Sequence, residues 1–454
     1  MKRLGLVLLA IFVAAACGGD SNSQTPGETE TPPAGKLVEV TFWHGFAAGA
    51  NQDATNALVQ KFNDAHTGKI KVTPVFAGNY DDTFAKIKTS ITAGNTPQLV
   101  QIYDLGTRFM IDSKKVTPVQ KFVNEDKYNT DLEPIVANYF TINKQLYSMP
   151  WNNSMPILYY NKDAFQAAGL DPNKAPQTLD EIRTMALKLT KKDANGQTTQ
   201  YGFGAAIYGW FLEQFAARAD VEMCNNGNGR DKNATRLLSD QPQLVKVMDW
   251  WKQMVADGLA LNTGRPTANM QTAFKAGRVA ITLESTGFLG GAISGSKFQV
   301  GTGFYPRSES SPAGGPAVGG ASIWIMNDHP AYEQRAAWEF VKFLETPENM
   351  AYWHTKTGYF PDTIKSQTDP VGAAYRASRP QFDTALQQLH QEKTDKATAG
   401  CILGVMAQAR QENENAMEKI LTGGAKVDSK TALTGAVTAI QPAIDQYNQA
   451  VGAK

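Results

Sequence analysis

Residues 37–43 alternate, with Val38, Val40 and Phe42 on one side and Glu39 and Thr41 on the other, the period of a half-buried strand. Helical spacing follows: Ala57, Leu58, Lys61 and Phe62 lie on adjoining faces of a helix that should end near Gly68. Residues 69–76 return to strand character, and Gly78-Asn79-Tyr80 turns the chain into a helix carrying Phe84, Ile87 and Ile91. Gly94-Asn95-Thr96-Pro97 stops that helix before the apolar run Leu99-Val100-Gln101-Ile102-Tyr103. Strand, helix, strand, helix, strand predicts an α/β sheet flanked by helices. In such sheets ligands sit beyond the carboxyl ends of the strands, which is where Trp43-His44, Gly78-Asn79-Tyr80 and Asp104 fall.

Residues 149–162 join a polar, aromatic turn to a buried strand. Ile157-Leu158-Tyr159-Tyr160 is the apolar run of a strand covered on both faces, while Pro150, Asn152, Asn153 and Pro156 just before it interrupt a continuous ladder. This pattern reads as a crossing between two lobes. Further on, Thr178-Leu179-Asp180-Glu181 forms a capping box. A helix over 243–256 carries Leu244, Val247, Met248, Trp251, Met254 and Val255 on one side, and Gly258 stands just past its end. Residues 274–282 pass from helix end to strand, residues 298–305 and 322–326 read as strands, and the last quarter is helical after Thr346-Pro347 and again after Val405.

With 454 residues and 42% hydrophobic content, the chain can build two lobes with separate cores. Its net charge of +1 and the lack of a dense basic block after residue 36 argue against nucleic acid as a partner. Met1-Lys2-Arg3, the apolar residues 4–15 and Ala14-Ala15-Ala16-Cys17 form an export signal too short to span a bilayer. The ending resembles a bacterial lipoprotein cleavage box, with Ala14 where leucine is usual. Residues 1–17 are therefore read as a signal ending at a lipidated Cys17, plain secretion with an incidental cysteine being the other reading. Residues 18–36, rich in Gly, Ser, Thr, Pro and Glu, are read as a disordered tether. The expected location is a bacterial membrane surface, facing the periplasm or the exterior, held by lipid alone. Cys224 and Cys401 remain, and an oxidising compartment permits a disulfide between them or two separate buried thiols.

Catalytic and metal signatures are scarce. No His-Glu-x-x-His or Gly-x-Ser-x-Gly occurs, and His44, His66, His329, His354 and His390 show no ligand spacing, so no metal or cofactor is expected. Gly227-Asn228-Gly229 begins like a phosphate loop but lacks a third glycine and a preceding strand. Paired carboxylates for glycoside hydrolysis leave no local signature, which keeps a secreted carbohydrate-active enzyme as a minor reading. Aromatic and small polar residues instead gather at expected strand ends and loops: Trp43, Tyr80, Asp104, Trp151, Ser154, Trp210, Ser285 and Tyr359. Ring faces pack on the C–H faces of sugars and polyols, and a carboxylate accepts strong bonds from hydroxyls. Core packing is the alternative for each aromatic taken singly.

Phe42-Trp43-His44, Gly78-Asn79-Tyr80, Tyr103-Asp104-Leu105-Gly106-Thr107, the run from Asn153-Ser154-Met155-Pro156 to Asp163-Ala164-Phe165, Gly319-Gly320-Ala321-Ser322 and His354-Thr355-Lys356-Thr357-Gly358-Tyr359 carry a likeness to a known family. From about residue 38 to beyond residue 420 the chain resembles the extracellular solute-binding proteins of bacterial ABC importers, and among them the glycerol-3-phosphate-binding branch. The resemblance implies a type II, maltose-binding-protein-like fold of two lobes, each a sheet flanked by helices, joined by a hinge of three crossings that closes on ligand. The crossings are expected near residues 150, 299 and 328, with 37–150 plus 300–328 as the N-terminal lobe and 151–299 plus 329–454 as the C-terminal lobe. It further implies a monomer that does no chemistry and hands a small hydroxylated ligand to membrane permease subunits.

By the same resemblance, Tyr80 and Asp104 hold glycerol hydroxyls, with aspartate in place of the family's glutamate. Ser154, Ser285, the backbone of Gly320, Tyr359 and an arginine meet the phosphate. The arginine's position falls on Ile402, within Ala399-Gly400-Cys401-Ile402-Leu403-Gly404. Two charge-assisted bonds, each contributing about 1.5–3 kcal/mol, are lost with it. A dianionic phosphate is thereby disfavoured relative to a monoanionic phosphodiester or an uncharged oligosaccharide or polyol. Arg108 and Arg307 are the candidates to replace the missing cation from other loops.

Overall fold

A computed structural model describes residue 32 and residues 35–308, 314–391 and 393–453. The expected signal segment, Cys17 and most of the tether lie outside the described residues. Strands β1 (Val38–His44), β2 (Ile70–Phe76), β3 (Leu99–Tyr103), β4 (Val116–Thr117) and β5 (Met149–Ser154) precede the crossing. Strands β6 (Pro156–Asn161), β7 (Thr198–Gly204), β8 (Ala260–Leu261), β9 (Val279–Ser285) and β10 (Val300–Phe304) follow it, and β11 (Gly319–Met326) comes last. The first sheet runs β2-β1-β3-β11-β4, with β5 also paired to β11; the second runs β8-β7-β9-β6-β10.

β1 lies parallel to both β2 and β3, in the register Val38↔Ile70 to His44↔Phe76 with β2. Its alternation is realised: Val38, Val40, Phe42 and His44 are buried and Glu39 is exposed. Helices α1 (Ala50–Ala65) and α2 (Tyr80–Ala93) complete the alternating unit expected from the sequence. α3 (Gly209–Arg218), α4 (Pro242–Ala256) and α5 (Thr267–Lys275) belong to the second lobe. α4 buries Leu244, Val247, Met248, Trp251 and Met254, the stripe read from the sequence. The Thr178 capping box forms in both directions, whereas the Thr346 hydroxyl turns back to the carbonyl of Phe343 and caps nothing.

The chain changes lobes at Met155. β5 pairs antiparallel with β11 in the first sheet, and β6 pairs antiparallel with β9 and β10 in the second. The expected boundary at residue 150 is therefore four residues or more early. The other two boundaries move further. β10 hydrogen-bonds to β6, so residues 300–304 belong to the second lobe, and the second crossing falls between β10 and β11 rather than near 299.

α6 (Ala331–Leu344) and α7 (Pro347–Thr357) were expected in the second lobe and pack in the first. α6 presents Ala336, Ala337, Phe340, Val341 and Leu344 to a core shared with Val40, Phe42 and Ile325. Burying large apolar side chains yields about 1.5–3 kcal/mol each, which fixes the helix on this sheet. The third connection accordingly runs through residues 358–405: Ala385, Leu386 and Leu389 join the first core, and Phe382 packs with Tyr159 and Phe288 of the second lobe. α8 (Met406–Gly423) and α9 (Ser429–Ala450) return to pack on α3 and α4.

Cys224 and Cys401 are bonded, with Cα atoms 5.7 Å apart and a sequence separation of 177. The neighbouring Gly227-Asn228-Gly229 is structural. Asn226, Gly227 and Asn228 adopt left-handed backbone, and the Asn228 carboxamide accepts from the amides of Met223 and Cys224 and donates to the carbonyl of Lys396. Among the described residues no helix is long and apolar enough to cross a membrane, and no group of acidic, histidine or cysteine side chains is placed to hold a metal.

Candidate ligand-binding cleft

Strand ends and helix starts from both lobes converge on one cavity of about 550 Å³. The first lobe and its connections supply Tyr80, Tyr103, Asp104, Ser154, Gly320 and Tyr359; the second supplies Tyr208, Trp210, Arg265, Glu284, Ser285 and Glu414. A neighbouring hollow of about 500 Å³ shares Tyr80, Tyr103, Tyr208, Arg265 and Glu414 and continues toward Arg410. The cleft is thus elongated.

Local chemistry fixes each group. The Asn79 carboxamide accepts from the amide of Asp82 at 3.0 Å, and the Asp82 carboxylate accepts from the amide of Asn79, so Tyr80 is set as the first residue of α2. Its ring lies 5.4 Å from that of Tyr103, and its hydroxyl accepts a 2.8 Å bond from Asn152, which is itself held by Gln101. Ser154 ends β5 and Ser285 ends β9. The Ser285 hydroxyl oxygen accepts from the amide of Gly287 at 3.2 Å and retains its proton for another partner. Gly320 has φ +99°, and a Cβ there would strike the carbonyl of Asn152. Only glycine brings the β11 backbone this close to β5. Any side chain at Gly319 would strike the Trp210 ring, which lies against the strand from the opposite lobe.

The electrostatics separate into pairs and singles. Arg410 is 5% exposed and donates to Asp104 at 2.6 Å and to Glu213 at 2.7 Å, joining the lobes where it lines the neighbouring hollow. Burial works against its charge, but the two carboxylates outweigh burial and hold the guanidinium protonated. Arg265 at the rim is paired with Glu418 at 2.7 Å. Glu284 is 5% exposed and, among the described residues, accepts only neutral donors, the amide of Ser285 and the carboxamide of Gln271; burial pushes its carboxyl up. Burial also raises Glu414, with the amide of Gly209, Arg410 and Arg265 opposing. Burial drives Tyr80 well above the usual phenol range, with Tyr359 and Asp104 adding to the effect, and burial raises Tyr359 too. Both phenols are hydrogen-bond donors at neutral pH.

Of the residues named from the sequence, Tyr80, Asp104, Ser154, Trp210, Ser285, Gly320 and Tyr359 share this cavity. Trp43, Trp151 and Ile402 do not. Neighbouring strand residues face opposite sides of a sheet; Phe42 and His44 enter the core, and Trp43 meets the α2 side, with the Lys86 ammonium 4.3 Å from its ring. Trp151 is core: it stacks on Trp353 at 4.5 Å and meets Phe42 edge-on at 5.7 Å. Ile402 is buried in the disulfide-linked loop, its amide donating to the carbonyl of Asn228. Arg108 pairs with Asp112, and neither Arg108 nor Arg307 lines the cavity.

Tyr103, Tyr208, Arg265, Glu284, Glu414 and Arg410 escaped sequence reasoning. Tyr208 and Glu284 stand two and one residues from Trp210 and Ser285, a local clue; Arg410 is 306 residues from Asp104 and had none.

The family model for bacterial extracellular solute-binding proteins matches residues 57–380. The sn-glycerol-3-phosphate-binding periplasmic protein UgpB of Pectobacterium atrosepticum is 32% identical over 437 residues, covering 94% of each chain. Its Escherichia coli counterpart is 32% identical over 396 residues, 85% of this chain and 88% of that one. Among solved structures, UgpB from Mycobacterium tuberculosis in complex with glycerophosphocholine superposes with a TM-score of 0.71 at 21% identity, covering 90% of this chain and 98% of that one. The sugar-binding protein MalE from Xanthomonas citri gives 0.72 at 18% identity, covering 90% and 98%. The two sheets joined at Met155 and the cleft between them are thus a shared architecture, and this chain belongs to the family of bacterial extracellular solute-binding proteins.

Proposed function

We propose that this protein captures a glycerophosphodiester in the cleft and delivers it, without chemical change, to the permease of an ABC importer. The observation that carries the reading is the meeting of Ser154, Ser285, Gly320 and Tyr359 in one cavity that also holds Tyr80 and Asp104. Hydroxyl and phenol donors suit phosphate oxygens, and a carboxylate with a neighbouring phenol suits vicinal hydroxyls. The relatives named for glycerol-3-phosphate and the glycerophosphocholine complex point the same way. With Ile402 away from the cleft and Arg265 already paired, a monoanionic diester costs less to desolvate than a dianionic monoester. Lipid attachment at Cys17 and action as a monomer complete the proposal.

An uncharged oligosaccharide is the second reading, favoured by the Tyr208 and Trp210 rings beside several carboxylates in an elongated cleft. Isothermal titration with glycerol-3-phosphate, glycerophosphocholine and a panel of disaccharides separates the two. A glycerophosphodiester that binds while disaccharides give no heat supports the proposal; the reverse pattern overturns it.

A further inference from the structure

Three residues beyond Tyr359 in the cleft wall, the third connection buries Asp362. A second carboxyl close enough to act on it is Glu345, the residue that follows α6. Asp362 is fully buried and Glu345 is 4% exposed, and among the described residues none of their four carboxyl oxygens has a hydrogen-bond partner. A buried carboxylate with neither donor nor cation is strongly disfavoured, and two near one another more so. The pair stays inside the fold by holding protons, and burial raises both groups accordingly.

The surrounding groups do not neutralise the pair. Glu133 adds a third carboxyl, 5% exposed, which accepts from the carboxamide of Gln367 and lies 3.1 Å from His390. Tyr128 is near Glu345 as a neutral phenol, burial pushing it up to about 12. Asp131 turns its carboxylate to the amide of Lys365. His354 on α7 donates from Nδ1 to the carbonyl of Tyr359 at 2.7 Å, and burial lowers it to about 4, so it is uncharged at neutral pH. Arg376 is turned to the carbonyl of Gln367 and to Asp383 at 3.5 Å.

The segment between the pair and the cleft is fixed on both sides. Gly358 closes α7 with left-handed backbone, and Phe360 is buried in the first core. The Asp362 carbonyl accepts from the amide of Glu133 at 2.9 Å, and the amide of Ile364 donates to the carbonyl of Asp131 at 2.8 Å. If residues 360–364 lift from the first lobe, Tyr359 loses its place in the cleft.

We infer that Asp362 and Glu345 are positioning residues that act through Tyr359: protonated, they let the third connection seal onto the first lobe, and ionised, they release it and withdraw the phenol from the cleft. The inference goes beyond the glycerophosphodiester reading and applies to any ligand that touches Tyr359. Lifting the segment exposes both carboxyls to water, where they ionise near about pH 4. Above that pH the sealed form keeps protons that the lifted form has lost. Rising pH therefore favours the lifted form, by about tenfold per pH unit for each proton held.

Hydrogen exchange read by mass spectrometry on the full chain without ligand, from about pH 5 to about pH 8, tests this. Dividing each rate by the intrinsic chemical rate at that pH leaves the opening ratio of the segment. For residues 360–366 of the wild type that ratio should rise at least about tenfold across the range, while that of β7 stays level. Asp362→Asn and Glu345→Gln both copy the protonated form; each should reduce the rise, and the double variant should abolish it. A wild-type ratio that does not change with pH, a rise shared equally by β7, or a rise that persists in the double variant would overturn the proposal.

Discussion

Replacing Arg410 with methionine removes the cation that ties the two lobes together beside the cleft. The guanidinium lies 2.6 Å from Asp104 and 2.7 Å from Glu213, and the three side chains are 5%, 15% and 13% exposed. Taking away one member of a buried charged group leaves the others uncompensated, at about 3–5 kcal/mol. With an unfolding entropy of about 2.1 cal/mol/K per residue over a chain of this size, that loss lowers the melting temperature by ~3–5 °C at pH 7. The sign of the pH dependence follows. Burial already raises the Glu213 carboxyl and Arg410 opposes it; without Arg410 it destabilises increasingly as pH rises from about 4 and costs nothing once protonated in both states. The deficit should be largest near neutrality and fade toward about pH 4. Scanning calorimetry of the wild type, Arg410→Met, and the triple variant with Asp104→Asn and Glu213→Gln measures it. The triple variant should recover most of the loss, because it leaves no unpaired charge. A single variant that melts within about 1 °C of the wild type at pH 7, or a deficit that grows on acidification, would refute the reasoning.

Trp151 and Trp210 should separate cleanly: Trp151→Ala costs about 3–5 kcal/mol of stability through the lost packing on Trp353 and Phe42, while Trp210→Ala weakens ligand binding, as paired denaturation and titration experiments would record. Reducing the Cys224–Cys401 bond, which closes a loop of 177 residues, should lower stability by about 5 kcal/mol; an unchanged denaturation midpoint in reductant contradicts this. Asp362 is fully buried, both its carboxylate oxygens lack a hydrogen-bond partner among the described residues, and burial, with Glu345 and Glu133 adding, raises its carboxyl well above the usual range. A raised carboxyl loses stability as pH climbs above its unfolded value, so Asp362→Asn should flatten the fall in melting temperature as pH rises above about 4.

Much of this was legible in the chain because it is written locally. The alternation of Val38, Val40 and Phe42, the Thr178 box and the stripe on α4 each depend on neighbours a few residues away, and the structure repeats them within a residue or two. Lobe membership is not local. The apolar stripe of α6 states that one face is buried but not against which sheet, and the pairing of β5 with β11 joins residues more than 160 apart. The same limit divides the cleft residues. Tyr80, Ser154, Ser285 and Tyr359 stand at element ends that the sequence marks, whereas the face taken by Trp43 depends on which side of β1 receives α2. Arg265 and Arg410 become visible only once their carboxylate partners arrive from distant segments.

The central claim is that the cleft between the lobes holds a glycerophosphodiester, its phosphate and its glycerol hydroxyls both met by side chains of that one cavity. Diffraction from crystals grown with glycerophosphocholine tests this directly. The account predicts phosphate oxygens within hydrogen-bond reach of Ser154, Ser285, Gly320 and Tyr359, and glycerol hydroxyls against Tyr80 and Asp104. Density for the ligand outside the space between the lobes, or a phosphate seated at the Ile402 loop with those four groups unengaged, would contradict it.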